Sequence, residues 1–286
     1  MKRFATIVPI LAVIAGAGLG AASGLYIKRM QLSSLALTGF RMGVPFLFLL
    51  PLMIRRRRLL GEPSRRKTLW IASAINAGRM LFFILAYKLN SVGNVIVLFY
   101  LWPVFAMLFD GLRLRRRPRP GQVALVALSF AGVVVMNLHR GLSLANADLL
   151  GALVPILAAA LFAVTAILFK DALDTVHETE AIYFQNALGA LAFLPFLAAE
   201  LGGATVLDIE LGFVYGASVG LVGFGLLFFA MKRLPLFQYS ALAYCEVPIA
   251  VAFGIFLLGE KLVLNQVVGA LMVVVASFLA QRARSG

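Results

Sequence analysis

Ten long apolar stretches follow one another along the chain, joined by short polar connections. A helix needs roughly 20 apolar residues to cross the hydrocarbon core of a bilayer. The stretches cover residues 4–26, 33–54, 68–88, 93–112, 121–138, 148–169, 179–199, 211–231, 236–258 and 264–281. Hydrophobic residues make up 62% of the chain and charged residues 13%, whereas soluble domains have roughly 45–50% and about 25%. Because helices satisfy their own backbone hydrogen bonds in lipid, we predict an all-α integral membrane protein with ten transmembrane helices.

The basic residues are concentrated on one side of these spans. With a cytoplasmic N-terminus, 19 of the 26 lysines and arginines lie on the cytoplasmic side and 5 on the other, while Arg41 and Arg79 lie within spans. Cytoplasmic loops carry such an excess of positive residues, so the net charge of +14 indicates topology rather than nucleic-acid binding. We expect a multi-pass protein of the bacterial cytoplasmic (inner) membrane, with a retained first helix and both termini in the cytoplasm.

The second half of the chain repeats landmarks of the first half at a nearly constant offset. The pairs, 142 to 146 positions apart, are Pro9 and Pro155, Lys28 and Lys170, Phe40 and Phe184, Pro51 and Pro195, Lys88 and Lys232, Tyr100 and Tyr244, and Pro103 and Pro248. Each unit contains five spans, an odd number, so the second unit must enter the membrane upside down. We therefore predict two inverted five-helix repeats, residues 1–141 and 142–286, forming one unit of the kind found in secondary transporters.

Motifs in the second half resemble a known family. Leu258-Gly259-Glu260 follows a proline-containing segment, and Gln266 and Gly269 open the last span. The pattern resembles the EamA branch of the drug/metabolite transporter superfamily, which often has an arginine at the position of Arg41. The first half matches more loosely, because it lacks the glutamate of that turn. The resemblance implies ten helices, a central cavity between the two halves and alternating access.

Three ionisable residues lie near the middle of predicted spans: Arg41, Arg79 and Glu246. A charge at the bilayer centre costs roughly 2.5–3.5 kcal/mol on insertion scales, so each one calls for a partner or a function. A guanidinium binds carboxylate or phosphate through two parallel hydrogen bonds, and Glu246 is available for an amine. The alternatives are that Glu246 pairs with one arginine as a fixed strut, or that its carboxyl group couples transport to protons.

Residues around two prolines complete the predicted substrate site. Because a proline frees the carbonyl four residues back, Pro103 and Pro248 predict helix breaks, and broken helices near the midplane indicate a transporter site. Trp102 is unusual at a span centre, since tryptophan prefers the membrane interfaces. The other predicted substrate-binding residues are Asn76, Phe83, Phe99, Tyr244, Tyr183 and Asn186. This set favours amino acids, above all those with aromatic or large apolar side chains, as the exported substrate.

Other functions stay open on the sequence. An integral-membrane enzyme acting on a lipid-linked substrate needs acid or base groups at the membrane surface. One connection contains such a cluster, Asp171, Asp174, His177, Glu178 and Glu180. A channel or a scaffold is a further alternative, and drugs, nucleosides or organic acids are alternative substrates.

The sequence predicts a chain without enzymatic activity, catalytic residues, cofactor or metal. Cys245 is the single cysteine, and the two histidines, His139 and His177, are far apart. No phosphate-binding G-x-x-x-x-G-K-[ST] motif is present, so ion gradients or substrate exchange must supply the energy. The expected partners are the lipid bilayer and a small-molecule substrate, with either a monomer or a homodimer.

Overall fold

The computed structural model describes residues 2–90, 92–138, 149–258 and 263–282, and within these ranges every regular element is a helix. In chain order the α-helices are α1 Lys2–Ala21, α2 Ser23–Arg29, α3 Ser34–Arg55, α4 Arg66–Leu89, α5 Val92–Phe99, α6 Trp102–Arg113, α7 Pro120–Asn137, α8 Leu149–Ala172, α9 Glu178–Glu200, α10 Val206–Tyr215, α11 Phe224–Arg233, α12 Leu236–Ala243, α13 Glu246–Leu258 and α14 Leu264–Arg282. A 3₁₀ turn, Leu201–Gly203, follows α9, and a π-helical segment, Gly216–Gly223, joins α10 to α11. The chain is therefore all-helical over the described ranges.

Seven helical segments of the described residues are long and apolar enough to cross a membrane. They are Ile7–Arg29, Ser34–Arg55, Arg66–Leu89, Val95–Arg113, Leu153–Ala172, Glu178–Gly203 and Val206–Arg233. Shorter apolar helices, Pro120–Met136 and Leu264–Ala280, fall where two further spans were predicted. The remaining predicted span, 236–258, is divided between α12 and α13. The count of ten spans and the inverted repeat therefore stay predictions.

Two helices are interrupted next to the prolines that predict helix breaks. The helix ends at Phe99 and starts again at Trp102, so Pro103 lies in the first turn of α6. The second break falls between Ala243 and Glu246, just before Pro248. A proline is tolerated in the first turn of a helix, where its missing N–H has no partner to lose. The two breaks lie against each other, because the rings of Tyr100 and Tyr244 are 5.7 Å apart.

Helices from the two halves of the chain pack in corresponding pairs. Helix α3 packs against α9, and α7 packs against α14. Helix α1 packs against α11 and α13, and the corresponding helix α8 packs against α4 and α6. At the crossing of α7 and α14, a Cβ added to Gly132 would lie 2.7 Å from the carbonyl oxygen of Gly269. Small residues permit this close approach in lipid, where no hydrophobic drive holds helices together.

Four lysines tie the ends of helices together by donating to carbonyl oxygens near helix C-termini. In the first half, Nζ of Lys28 donates to the carbonyl of Asn90, and Nζ of Lys88 donates to that of Met30, both at 2.8 Å. We call this reciprocal pair the first lysine clasp. Cations at these positions also interact favourably with the negative end of the helix dipole. The clasp joins the end of α2 to the end of α4.

A second lysine clasp ties α8 to α11 in the other half. Nζ of Lys170 donates to the carbonyls of Met231 and Leu234, at 2.6 and 2.9 Å. Nζ of Lys232 donates in return to the carbonyl of Val176 at 3.0 Å. The two clasps use the lysines that the sequence pairs across the halves. If the helices span the membrane as predicted, the clasps lie on opposite faces.

Candidate functional site

Six of the predicted site residues line one central cavity of about 60 Å³. They are Arg41, Arg79, Phe83, Phe99, Trp102 and Glu246. The cavity lies where the π segment, the two helix breaks and helices α1, α3, α4 and α8 meet. Ligand pockets usually measure about 300–1,000 Å³, so the cavity in this conformation is too small for a metabolite.

Arg79 is held in place by Asn76, one turn earlier on α4. Its Nε and Nη2 both donate to Oδ1 of Asn76, at 3.1 and 2.7 Å, and Nδ2 of Asn76 donates to the carbonyl of Gln185 at 2.6 Å. The guanidinium also lies over the ring of Phe162, 4.9 Å from its centroid. Only 2% of Arg79 is exposed. Arg79 is therefore held by Asn76 of its own helix, and Asn76 is in turn anchored to α9.

Arg41, on α3, is buried to the same degree but has free hydrogen-bond donors. Its Nε and Nη1 have no hydrogen-bond partner among the described residues. The guanidinium lies 4.9 Å from the ring centroid of Phe224 and 5.7 Å from that of Tyr215. An unsatisfied buried donor on a charged group costs more than about 1–3 kcal/mol. These two atoms are therefore available to donate hydrogen bonds to a bound acceptor.

The backbone beside Arg41 belongs to the π segment. A Cβ added to Gly220 would lie 2.7 Å from Nη1 of Arg41, 3.0 Å from its carbonyl oxygen and 2.6 Å from Cγ of Pro45. Glycine at this position therefore lets the π segment approach α3 closely. Such π segments inside longer helices occur frequently at functional sites.

Glu246 begins α13 and faces the same cavity from the second helix break. A Cβ added to Gly20 of α1 would lie 2.9 Å from Oε1 of Glu246, so glycine at this position makes room for the carboxyl group. In the described ranges, no ion pair within 4.0 Å joins Glu246 to Arg41 or to Arg79. The strut between Glu246 and an arginine is therefore absent from this structure, and the three charged groups face the cavity separately.

Aromatic rings form one wall of the cavity. Phe162 packs edge-on against Trp102 at 4.8 Å and is stacked with Phe99 at 5.6 Å between ring centroids. Phe83 packs edge-on against Phe99 at 4.7 Å. Tyr239 lies 6.3 Å from Trp102 and lines the cavity as well. The wall offers an apolar side chain a surface of ring faces and edges.

Four predicted site residues do not line the cavity: Tyr244, Tyr183, Asn186 and Asn76. Tyr244 is buried against Tyr100 in the contact between the two helix breaks. Tyr183 is stacked on Phe46 at 5.2 Å. Nδ2 of Asn186 donates to the carbonyl of Ile182 in its own helix at 2.8 Å. These residues contribute to packing in this conformation. Asn76 reaches the site only through Arg79.

Four aromatic residues of the cavity lining were not predicted: Phe162, Tyr215, Phe224 and Tyr239. Tyr215 directly precedes the glycines of the π segment, and Tyr239 lies in the segment of the second break. These positions are the signals that sequence reasoning overlooked. Phe162 and Phe224 occur in uniformly apolar stretches, where no pattern distinguishes them from packing residues.

The chain is similar to solved structures and to curated proteins. A crystal structure superimposes with a TM-score of 0.75 at 18% sequence identity, covering 96% of this chain and 97% of that one, which shows the fold alone. An uncharacterized transporter of Archaeoglobus fulgidus is 26% identical over 273 residues, 95% of each chain. The uncharacterized transporter YcxC of Bacillus subtilis is 26% identical over 184 residues, 60% of this chain and 59% of that protein.

The family comparison covers nearly the whole chain. The Leu258-Gly259-Glu260 turn of the resemblance lies largely outside the described residues, but its neighbour Gln266 accepts the backbone N–H of Val263 at 3.0 Å and caps the last helix. The profile of the EamA-like transporter family matches residues 7–138 and 149–281. The chain therefore belongs to the EamA-like transporter family.

Proposed function

We propose that the protein is a secondary transporter that exports a small zwitterionic or anionic metabolite, with amino acids favoured, by alternating access. The observation that carries the proposal is the pair of buried guanidinium groups, Arg41 and Arg79, which face one cavity from two helices. Buried ionisable groups within membrane-spanning segments usually mark substrate or ion pathways. Family membership and the names of the relatives support a membrane transporter.

The charges around the cavity favour a substrate that contains an anionic group. Two guanidinium groups and one carboxylate leave an excess of one positive charge if all three are ionised. Arg41 is the better anion ligand, because its Nε and Nη1 have no protein acceptor, while Asn76 occupies two donors of Arg79. Glu246 accepts hydrogen bonds from the ammonium group of an amino acid, and the aromatic wall binds the side chain of that amino acid.

The arrangement of helices supports alternating access between two inverted units, residues 1–141 and 142–286. Equivalent helices pack in matching pairs, and the family profile matches once on each side of the proposed boundary. Gln122 accepts the backbone N–H of Arg119 at 3.3 Å, the same cap that Gln266 forms at the start of α14. With the cytoplasmic termini that we propose, the first lysine clasp lies at the outer face and the second at the inner face.

Counterflow in proteoliposomes tests the function and the site together. Liposomes loaded with one unlabelled amino acid are supplied with the same labelled compound outside, over a panel that includes aromatic, aliphatic and acidic amino acids. Saturable exchange that disappears in Arg41→Ala and falls in Arg79→Ala supports the proposal. Arg66→Ala, at the start of α4 away from the cavity, is the matched control and keeps wild-type exchange.

Two results would overturn this assignment. Exchange that persists in Arg41→Ala and Arg79→Ala excludes a substrate held by these arginines. Folded protein that exchanges no member of the panel removes amino acids, and the same assay then proceeds to nucleosides, organic acids and drugs. Single-channel currents in a planar bilayer would show that the protein is a channel and not a carrier.

The acidic cluster behind the alternative of a membrane enzyme has structural contacts. Asp171 pairs with Arg113, and Oε1 of Glu178 accepts from Nη1 of Arg233 at 2.8 Å. Oε1 of Glu180 accepts the backbone N–H of Glu62 at 2.7 Å. Three carboxylates of the cluster therefore bridge helix ends and loops, which supports the transporter over the enzyme.

A further inference from the structure

We propose that a second cavity, of about 510 Å³, is an anion-binding vestibule through which carboxylate- or phosphate-containing substrates reach the central site from the cytoplasm. Its position in the transport path depends on the proposed function, whereas its affinity for anions does not. The cavity lies between the end of α6, the segment 114–119, the start of α7 and the start of α12. Its volume is within the range of small-molecule sites.

The charge of the lining is strongly positive. Arg116, Arg117 and Arg119 line the cavity together with one carboxylate, that of Asp110. Oδ1 of Asp110 is already bound, 3.0 Å from Nη2 of Arg113. No ion pair within 4.0 Å engages Arg116 or Arg117 in the part of the chain that the structure describes. A cleft lined by one sign of charge concentrates ions of the opposite sign.

The loop that presents these arginines has a defined backbone structure. Arg115 adopts a left-handed conformation with φ of 51°, as the residue that ends a helix often does. The backbone N–H of Arg116 donates to the carbonyl of Gly111, and that of Leu114 donates to the carbonyl of Asp110, both at 2.9 Å. A Cβ on Gly111 would lie 2.9 Å from the carbonyl of Arg116, so the loop folds tightly onto the end of α6.

The start of α12 adds a second source of positive potential. Its N-cap residue is Pro235, and no side chain caps the helix. The first N–H groups of a helix have no intrahelical acceptor and attract anions together with the helix dipole. Leu236 and Phe237, which carry the first of these N–H groups, line the vestibule as well.

The vestibule and the central cavity are neighbours along two helices. Ala106 lines the vestibule one turn after Trp102, which lines the central cavity. On α12, Ser240 lines the vestibule and Tyr239, the residue before it, lines the central cavity. The rings of Trp102 and Tyr239, which line the central cavity, are 6.3 Å apart. The two spaces therefore share helices α6 and α12.

Cysteine labelling measures the predicted anion preference without requiring transport. Met107, which lines the vestibule and is half-buried, is replaced by cysteine in a Cys245→Ser background. We expect an anionic methanethiosulfonate to react with Met107→Cys at least about tenfold faster than a cationic one of similar size. Arg116→Gln with Arg117→Gln should bring the two rates close together. Arg56→Gln with Arg57→Gln, the same charge change in another basic loop, should leave the ratio unchanged.

Protection experiments identify the chemistry of the bound group. Sodium glutamate and inorganic phosphate should slow labelling of Met107→Cys by neutral N-ethylmaleimide, while acetamide, which has no anionic group, should not. The measurement is repeated in phosphatidylcholine vesicles with and without phosphatidylglycerol. Protection by phosphatidylglycerol that soluble anions cannot reproduce would assign the vestibule to a lipid headgroup and overturn the substrate route.

Two further outcomes would overturn the proposal. Equal rates for the two charged reagents in Met107→Cys with all arginines intact would exclude an anion site. An anion site would also be excluded if the Arg116/Arg117 pair and the Arg56/Arg57 pair of substitutions lowered the rate ratio equally, because the ratio would then reflect general surface charge. Since none of these measurements involves Arg41 or Arg79, failure of the vestibule and failure of the central site are distinguishable.

Discussion

Arg41 and Arg79 show how two buried arginines of the same cavity acquire different roles. Each has an exposed fraction of 2% or less, and each guanidinium lies 4.9 Å from the centroid of a phenylalanine ring. They differ in hydrogen bonding, because Asn76 accepts twice from Arg79 while Nε and Nη1 of Arg41 have no acceptor. Burial and ring contact alone therefore do not identify a ligand. The unsatisfied donors distinguish an available arginine from a positioned one.

The largest expected difference comes from replacing each arginine by lysine. Lysine retains the charge but lacks the planar set of donors that binds carboxylate at two points. Losing one charge-assisted hydrogen bond costs about 1.5–3 kcal/mol. We therefore expect Arg41→Lys to lower kcat/KM for exchange by about 100-fold. Arg79→Lys should cost about tenfold, because lysine still reaches Asn76. Equal losses would show that both arginines bind the substrate directly.

Two glycines, Gly220 beside Arg41 and Gly78 beside Arg79, differ in the space around them. Gly220 meets Arg41 and Pro45 within 3.0 Å of an added Cβ, whereas an added Cβ on Gly78, next to Arg79, has nothing within 4 Å. Overpacking of this kind costs about 1–3 kcal/mol, so Gly220→Ala should lower Tm in detergent and reduce exchange. Gly78→Ala should raise stability by about 0.5–1 kcal/mol, because alanine favours the helix. A Gly220→Ala protein with the wild-type Tm would refute the close contact at the π segment.

Asn76 can convert the positioned arginine into a neutralised one. In Asn76→Asp, a carboxylate replaces the amide oxygen that accepts from Arg79, while the size of the side chain is unchanged. We expect KM for an anionic substrate to rise about five- to tenfold, because Arg79 no longer contributes free positive charge. Both Asn76→Asp and Asn76→Ala should lower stability by about 1–3 kcal/mol, since the carbonyl of Gln185 loses its donor in each. An unchanged KM in Asn76→Asp would remove Arg79 from the electrostatics of the site.

The smallest expected effects come from the rings beneath the two guanidinium groups. Cation–π contacts contribute about 0.5–2 kcal/mol, depending on desolvation. Phe224 and Phe162 lie at the same distance from their arginines, but Phe162 also belongs to the aromatic wall. Phe224→Leu should therefore lower substrate affinity about threefold and Phe162→Leu up to about tenfold. Equal losses, measured as KM in the same counterflow assay, would mean that Phe162 does not contact the substrate itself.

Local features of the sequence predict those parts of the site that depend on one helix. Asn76 and Arg79 are three residues apart, a spacing that places them on one helical face, and the structure joins them by two hydrogen bonds. The interruptions before Pro103 and Pro248 are local too, because the proline ring displaces the carbonyl four residues back. Tyr183 and Asn186 show the limit of such local prediction. Tyr183 is stacked on Phe46, and Asn186 donates to the carbonyl of Ile182 in its own helix.

The sequence by itself determined that the chain is helical and apolar enough for a membrane, and it determined where two helices break, because hydropathy and proline chemistry act over a few neighbouring residues. Only the tertiary structure decided which arginine keeps free donors and which aromatic residues meet them, because Phe162, Tyr215 and Phe224 are distant in the chain. The same holds for the arginine segment 114–119, which the sequence presents only as a topology signal. Its position over a cavity depends on how the end of α6 packs beside the start of α12.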